Sequence, residues 1–129
     1  MSDRATSGQL MILIAGPWRS GTNDEPALMQ RNVDAMEDVA LSVFRLGHLP
    51  VLGEWFALPM IRHAGSQHIG DAVFNEIFHR LGRELIGKCD AVLRTGGPST
   101  GADDMVATAN RLGKRVFHDF AEIPKRVRT

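Results

Sequence analysis

The chain has almost no cysteine, no excess of charge and no long apolar run. Its 129 residues include one cysteine, Cys89, so neither an internal disulfide nor a cysteine-based zinc site can form. Formal net charge is zero, which argues against general nucleic-acid binding, because such proteins present a basic face. No segment reaches the roughly 18 apolar residues that span a bilayer, and residues 1–9 lack a signal-peptide pattern. We expect a cytoplasmic protein that binds neither nucleic acid nor membrane.

Familiar cofactor and metal motifs are also missing. The loop Gly16–Thr22 lacks the Gly-Lys-Ser/Thr ending of a Walker A motif, and it is not Gly-x-Gly-x-x-Gly. The five histidines have no metal-ligand spacing. We therefore predict no cofactor and no metal. The length suits a single domain over 1–129, with flexible tails at 1–9 and 125–129.

Short apolar runs alternate with amphipathic segments along the chain. A continuous apolar run predicts a buried strand at 10–15, and three further short strands are predicted at 48–52, 90–95 and 115–118. Apolar residues at three- and four-residue steps predict helices at about 26–46, 71–87 and 102–112. Glycine and proline breaks in 53–63 predict a loop with a short helix. This order is typical of α/β proteins with a parallel sheet covered on both faces.

Two glycine-rich loops follow apolar strands, Gly16–Thr22 after the first and Gly96–Gly101 after the third. Ligands of open parallel sheets bind beyond the carboxyl ends of the strands, where the strand order reverses. The two loops are therefore expected to face each other across one crevice, where glycine lets backbone N–H groups approach a phosphate. The alternative is an ordinary connection in which Ser99 or Thr100 caps a helix. Taken together, the loops favour a ligand site.

Candidate binding residues come from these loops and from the segment after the second strand. Arg19 supplies charge for a phosphate, the serines supply hydroxyls, and each tryptophan either stacks on a base or lines the pocket. The predicted ligand-binding residues are Gly16, Pro17, Trp18, Arg19, Ser20, Gly21, Trp55, Gly97, Ser99 and Gly101.

Three acids near the predicted pocket are candidate catalytic groups. Asp103 and Asp104 lie in the first turn of the last long helix, where the helix dipole alone can account for them. Asp103 also lies close to the second loop and within reach of a ligand hydroxyl. Glu54 follows the second strand among large apolar neighbours, which can raise its pKa, whereas the alternative is an exposed loop acid.

The sequence resembles the nucleoside 2-deoxyribosyltransferase-like superfamily, and within it small bacterial proteins of the DUF4406 type. The residues that carry the resemblance are Ile12–Pro17, the helix to Gly47, Cys89–Val92, Gly101–Asp103 and Ala109–Val116. It extends over most of residues 10–124. The resemblance implies a flavodoxin-like three-layer sandwich with a mainly parallel four- to five-stranded sheet. It also implies a homodimer or larger homo-oligomer and a pocket for a nucleoside or nucleoside monophosphate.

Catalytic relatives in this superfamily cleave an N-glycosidic bond through a glutamate that attacks the anomeric carbon. Counting back from Lys114 puts Met105 at that glutamate's position, and a shift of one residue brings Asp104 there. An aspartate that often precedes the Cys-Asp-Ala-Val strand falls at Gly82. Methionine cannot attack as a carboxylate does, so a reaction requires Asp104, Glu54 or Asp103 in its place.

Three functions remain open from the sequence. The first is an enzyme that hydrolyses or transfers at the N-glycosidic bond of a nucleoside or nucleoside 5′-monophosphate. The second is a nucleotide-binding or sensing module that has lost the nucleophile, with Met105 at its position. The third is a subunit whose apolar Trp55–Ile61 segment is mainly a protein interface, although burial under the sheet explains that segment equally well.

Overall fold

The computed structural model describes residues 5, 6 and 8–127. Its strands and helices, in chain order, are β1 (Ala5–Thr6), β2 (Met11–Ala15), α1 (Pro26–Arg45), β3 (Leu49–Val51), α2 (Gly53–His63), α3 (Ala72–Lys88), β4 (Ala91–Arg94), α4 (Thr100–Arg111), β5 (Arg115–Phe117) and β6 (Lys125–Arg126). A short 3₁₀ turn over Phe120–Glu122 precedes β6. The four long strands and three of the helices lie where the sequence predicts them, with bounds that differ by one or two residues.

The central sheet has four parallel strands in the order β3-β2-β4-β5. Leu13 of β2 is paired with Val51 of β3 on one side and with Val92 of β4 on the other. After β2 the chain forms β3 on one side of β2, and then β4 and β5 on the other side. The strand order therefore reverses between β2 and β4. The predicted α/β fold, a flavodoxin-like three-layer sandwich, is confirmed.

Alternation along β2 divides the core into two layers. Ile12 and Ile14 pack against α1 through a cluster that includes Met36 and Val43. Leu13 and Ala15 point to the opposite face and pack in a second cluster with residues of α3 and α4, among them Ile86. Because successive strand residues point to opposite faces, a continuous apolar run is what a sheet covered on both sides requires.

Helix α2 corrects one prediction, because the glycine and proline breaks in 53–63 predict a loop with a short helix. The segment forms one helix over Gly53–His63 that includes Pro59. Proline removes a backbone hydrogen bond and disfavours a helix interior. Here Ala57 and Ile61 lie on one helix face and are buried against Phe74 of α3. This tertiary packing outweighs the local breaks, and propensity alone does not predict it.

Flexible tails were predicted at 1–9 and 125–129. Residues 1–4, 7, 128 and 129 of these tails lie outside the described residues. Within the described part, β1 pairs with β6 in parallel, with Ala5 opposite Lys125. The backbone N–H of Arg126 also donates to the carbonyl of Leu46, which ties the C-terminal segment to the end of α1.

His48 joins the beginning of β2 to the C-terminal segment. Its side chain is fully buried, and its Nδ1 accepts a hydrogen bond from the backbone N–H of Leu10 at 3.0 Å. The Nε2 atom lies 2.6 Å from the carbonyl oxygen of Pro124. Because Nδ1 is the acceptor, the proton is on Nε2, which donates to that carbonyl. The imidazole therefore satisfies two backbone groups that are distant in sequence.

Replacing His48 is expected to weaken the fold. His48→Phe keeps the size of the ring but leaves the Leu10 N–H and the Pro124 carbonyl without their partner, which costs about 2 kcal/mol. Denaturant unfolding measures the change, and His63→Phe at an exposed position is the control. Equal stability of the two variants would show that the His48 bridge contributes nothing.

No helix within the part of the chain that the structure describes is both long enough and apolar enough to cross a membrane.

Candidate functional site

A cavity of about 340 Å³ lies between α3 and α4, beside the carboxyl end of β2. Two helix faces form the cavity walls. Residues 79, 82, 83 and 86 lie on one face of α3, and residues 101, 104, 105, 108 and 111 lie on one face of α4. Its lining residues are Gly16, Trp18, Glu54, Phe78, His79, Gly82, Arg83, Ile86, Ser99, Gly101, Ala102, Asp104, Met105, Ala107, Thr108 and Arg111. Six of the residues predicted from the sequence are among them, namely Gly16, Trp18, Glu54, Ser99, Gly101 and Asp104.

Glu54 is the buried acid of this cavity. It lies in the first turn of α2, and only 6% of the residue is exposed. Burial raises the pKa of its carboxyl from 4.5 to about 7, although a hydrogen bond from its own backbone N–H lowers it in part. Among the described residues Glu54 has no ion-pair partner. A carboxyl in this state can give or take a proton near neutral pH.

Asp104 provides a second carboxyl to the same cavity in a different environment. It lies on α4, one turn beyond the helix start, and its side chain is exposed to solvent. The neighbouring Asp103 lies on another side of the helix and pairs with Arg94 at 3.1 Å, outside the cavity lining. Adjacent aspartates therefore have separate surroundings, and only Asp104 shares a cavity with Glu54.

An aromatic cluster forms one wall of the cavity. Trp18 is stacked with Phe78 at 5.3 Å between ring centroids and with Phe74 at 5.9 Å, and the two phenylalanines stack at 5.0 Å. Trp18 and Phe78 line the cavity, whereas Phe74 is buried behind them. The first glycine loop thus contributes an ordered indole to the site, held in place by α3.

Met105 of α4 extends its side chain towards α2 and α3. A Cβ atom built on Gly82 would lie 3.3 Å from the Met105 Cε, and one built on Gly53 would lie 3.8 Å from it. The methionine methyl therefore fills the space that these two glycines leave, and one of them, Gly53, directly precedes Glu54 in the chain. The position that the resemblance gives to a nucleophile holds an apolar side chain, while a carboxyl enters the same cavity from α2.

The two glycine loops touch each other, which accounts for some of their glycines. A Cβ atom on Gly96, where φ is +80°, would lie 2.6 Å from Cδ of Pro17. A Cβ atom on Gly16 would lie 3.1 Å from the Thr95 carbonyl oxygen. Close packing of the loops is thus one reason for glycine here, and the open volume lies to one side of them rather than between them.

Several predicted binding residues lie outside the cavity lining. Arg19 binds Asp24 through two hydrogen bonds of 2.5 and 2.9 Å, and its guanidinium lies beside Gly70. Trp55 is 41% exposed, and its indole N–H donates to Glu37 of α1. Ser20 and Gly97 also lie outside the lining, and their backbone carbonyls accept hydrogen bonds from the side chains of Asn32 and Arg94. Pro17 and Gly21 likewise do not line the cavity.

Ser99 has the capping role that was the alternative to ligand binding. Its hydroxyl accepts a hydrogen bond from the Ala102 N–H at the start of α4, at 3.1 Å. Ser99 also lines the cavity, so the same residue caps α4 and forms part of the site.

Gly96→Ala tests whether the loop contact matters. The added methyl collides with Pro17, and an alanine at positive φ is strained, so we expect a loss of about 2 kcal/mol in unfolding free energy. Gly97→Ala is a matched control, because no atom lies within 4 Å of its Cβ position and its φ is not positive. Chemical denaturation of both variants makes the comparison. Equal stabilities would contradict the loop contact.

The basic residues of the cavity were missed by sequence reasoning. Arg83 and Arg111 line it from α3 and α4. Helical periodicity assigns each of them to a face, but the sequence does not say that those faces meet. The sequence did indicate Gly82 and Met105, because the resemblance implies an aspartate and a nucleophilic glutamate at these two positions.

No protein-family model matches the chain, and a search of curated proteins finds no similar sequence.

Proposed function

We propose that the chain binds a nucleoside or nucleoside 5′-monophosphate in the cavity between α3 and α4, and cleaves or transfers at its N-glycosidic bond. The observation that carries the proposal is Glu54, a carboxyl buried in a ligand-sized cavity with its pKa raised to about 7. A buried, unpaired acid is costly for a fold, and such groups cluster at functional sites.

The two carboxyls lie in different environments, which supports one acting as the nucleophile and the other as the general acid and base. In our proposal an oxygen of the exposed Asp104 bonds to the anomeric carbon as the bond from that carbon to the base nitrogen breaks. Glu54, protonated near neutrality, gives its proton to the departing base. The ionised Glu54 then takes a proton from water or from an acceptor hydroxyl. That oxygen attacks the same carbon and releases Asp104.

The aromatic wall supports recognition of a nucleobase. Trp18 and Phe78 are held by stacking with each other, and both face the cavity. A planar base gains stacking energy against such a surface without demanding one particular pattern of hydrogen bonds.

Binding without cleavage is the second candidate, and Met105 favours it. A thioether at the family's nucleophile position supplies packing but no attack. In this case Glu54 contacts the ligand, and the protein senses a nucleotide instead of consuming it.

A homodimer or larger homo-oligomer stays a prediction. Trp55, Phe56 and Met60 of α2 are each between 41% and 46% exposed, which supports a contact surface there. Sedimentation over a range of concentrations measures the assembly state.

Ligand-observed NMR with a panel of nucleosides and their 5′-monophosphates tests the site. Saturation transfer from wild-type protein is expected for at least one member, and Ala107→Trp on the cavity wall should abolish it. Ala35→Trp, on exposed α1 at the opposite face of the sheet, is the matched control and should retain it. Binding that survives Ala107→Trp would place the ligand elsewhere, and no transfer from any member would refute nucleotide binding.

A further inference from the structure

We propose that Arg83 and Arg111 form a clamp for the 5′-phosphate, which makes nucleoside 5′-monophosphates the preferred ligands. This inference rests on the proposed function, because it assigns a second part of the same cavity. It places the phosphate between two helices and away from the arginine of the first glycine loop.

Both arginines lie on the helix faces that form the cavity. Arg83 follows Gly82 on α3, and Arg111 lies in the last turn of α4. The Arg111 guanidinium turns back along its helix and donates to the Thr108 hydroxyl at 3.0 Å. Thr108 is one turn beyond Asp104, a rise of about 6 Å. That separation is comparable with the distance between the anomeric carbon and the 5′-phosphate of one nucleotide.

The positive charges of these two arginines are not neutralised by an acidic side chain in the part of the chain that the structure describes. Within the described residues neither forms an ion pair, in contrast to Arg19, Arg80 and Arg94, which bind Asp24, Glu84 and Asp103. The cavity therefore has two cationic side chains available to a ligand. Its two carboxyls are already assigned other roles, Asp104 at the sugar carbon and Glu54 at the base.

A phosphate is the anion that this pair suits best. A guanidinium presents planar, parallel N–H donors that match the oxygens of a phosphate, and its charge does not titrate in the accessible pH range. Two guanidinium groups from separate helices can hold one dianionic group from two sides. A nucleoside has no phosphate and leaves both cations without a partner. We therefore expect it to bind less tightly than its monophosphate.

Calorimetric titration with nucleosides and their 5′-monophosphates, in both ribose and 2′-deoxyribose forms, tests the clamp. Wild-type protein should bind at least one monophosphate at least ten times more tightly than its nucleoside. Arg83→Gln and Arg111→Gln should each weaken monophosphate binding about tenfold and change nucleoside binding less than twofold. The monophosphate advantage should also shrink as salt concentration rises.

Two arginines serve as matched controls for charge and position. Arg80→Gln removes a cation from α3 outside the cavity lining, and Arg19→Gln removes the cation of the first loop. Neither should change the preference for monophosphates. Thermal unfolding of every variant verifies the fold, and because all four side chains are exposed we expect similar melting temperatures.

The outcomes separate this inference from the proposed function. Equal affinity for nucleoside and monophosphate in wild-type protein would overturn the clamp and leave nucleoside binding intact. A selective loss in Arg19→Gln instead of the helix variants would overturn it in favour of the loop. No binding by any panel member would overturn both proposals, and the expected selective losses would support the clamp.

Discussion

Glu54→Gln is expected to slow the release of free base about a thousandfold, while the ligand still binds. Glutamine keeps the shape of the side chain, but it cannot pass a proton to the departing base or take one from water. General acid–base catalysis contributes about 10²- to 10⁴-fold, and burial gives Glu54 a pKa of about 7 that suits both roles at neutral pH. Chromatography of the reaction with the best-bound ligand measures the rate.

Matched carboxyl variants make that result specific. Glu76→Gln neutralises an exposed acid on α3 outside the cavity lining and should leave the rate within threefold. Asp104→Asn should lose activity as severely as Glu54→Gln, whereas Asp103→Asn, which loses only the pair with Arg94, should lose much less. Full activity of Glu54→Gln, or equal losses in both aspartate variants, would contradict the assigned roles.

The same Glu54→Gln substitution should stabilise the fold at pH 8 by about 3 kcal/mol. In the unfolded chain the carboxyl ionises near 4.5, but in the folded protein burial raises its pKa to about 7. Below pH 4.5 both states hold the proton and the group contributes no difference. Between pH 4.5 and 7 the unfolded state releases its proton first, so folding stability falls and remains lower above pH 7. Each pKa unit is worth about 1.4 kcal/mol.

Denaturant unfolding at several pH values measures this effect as a difference between variant and wild type. Other titrating groups are common to both proteins and cancel. The two should have similar stability near pH 4, and the variant should gain its advantage between pH 5 and 7. A difference that does not depend on pH would mean that the Glu54 carboxyl is solvated in the folded state.

The fold was accessible from sequence because its signals are local. The continuous apolar run in β2 and the three- and four-residue spacing in α1 and α3 each specify one element, and alternation of strands with helices implies a parallel sheet. Helix α2 was not predicted in full, because its stability comes from Ala57 and Ile61 packing on Phe74 of α3. No local pattern contains that contact.

The site was accessible only in part. Glu54 stood out as an acid among large apolar neighbours, and burial is indeed the cause of its raised pKa. Arg19 looked equally suitable, yet it is used to bind Asp24 five residues along the chain. Arg83 and Arg111 had no distinguishing local context, since their place on one cavity depends on how α3 lies against α4. Elements can be predicted from periodicity, but pockets depend on which faces of those elements meet.

Proton NMR of wild-type protein, mixed with the nucleoside and monophosphate panel and followed over hours beside Glu54→Gln, tests the central claim most directly. We expect resonances of a free base to grow with wild-type protein and to stay absent with the variant, although both proteins bind the ligand. Bound ligand that remains intact with wild-type protein over the same hours would contradict cleavage and leave a nucleotide-binding module.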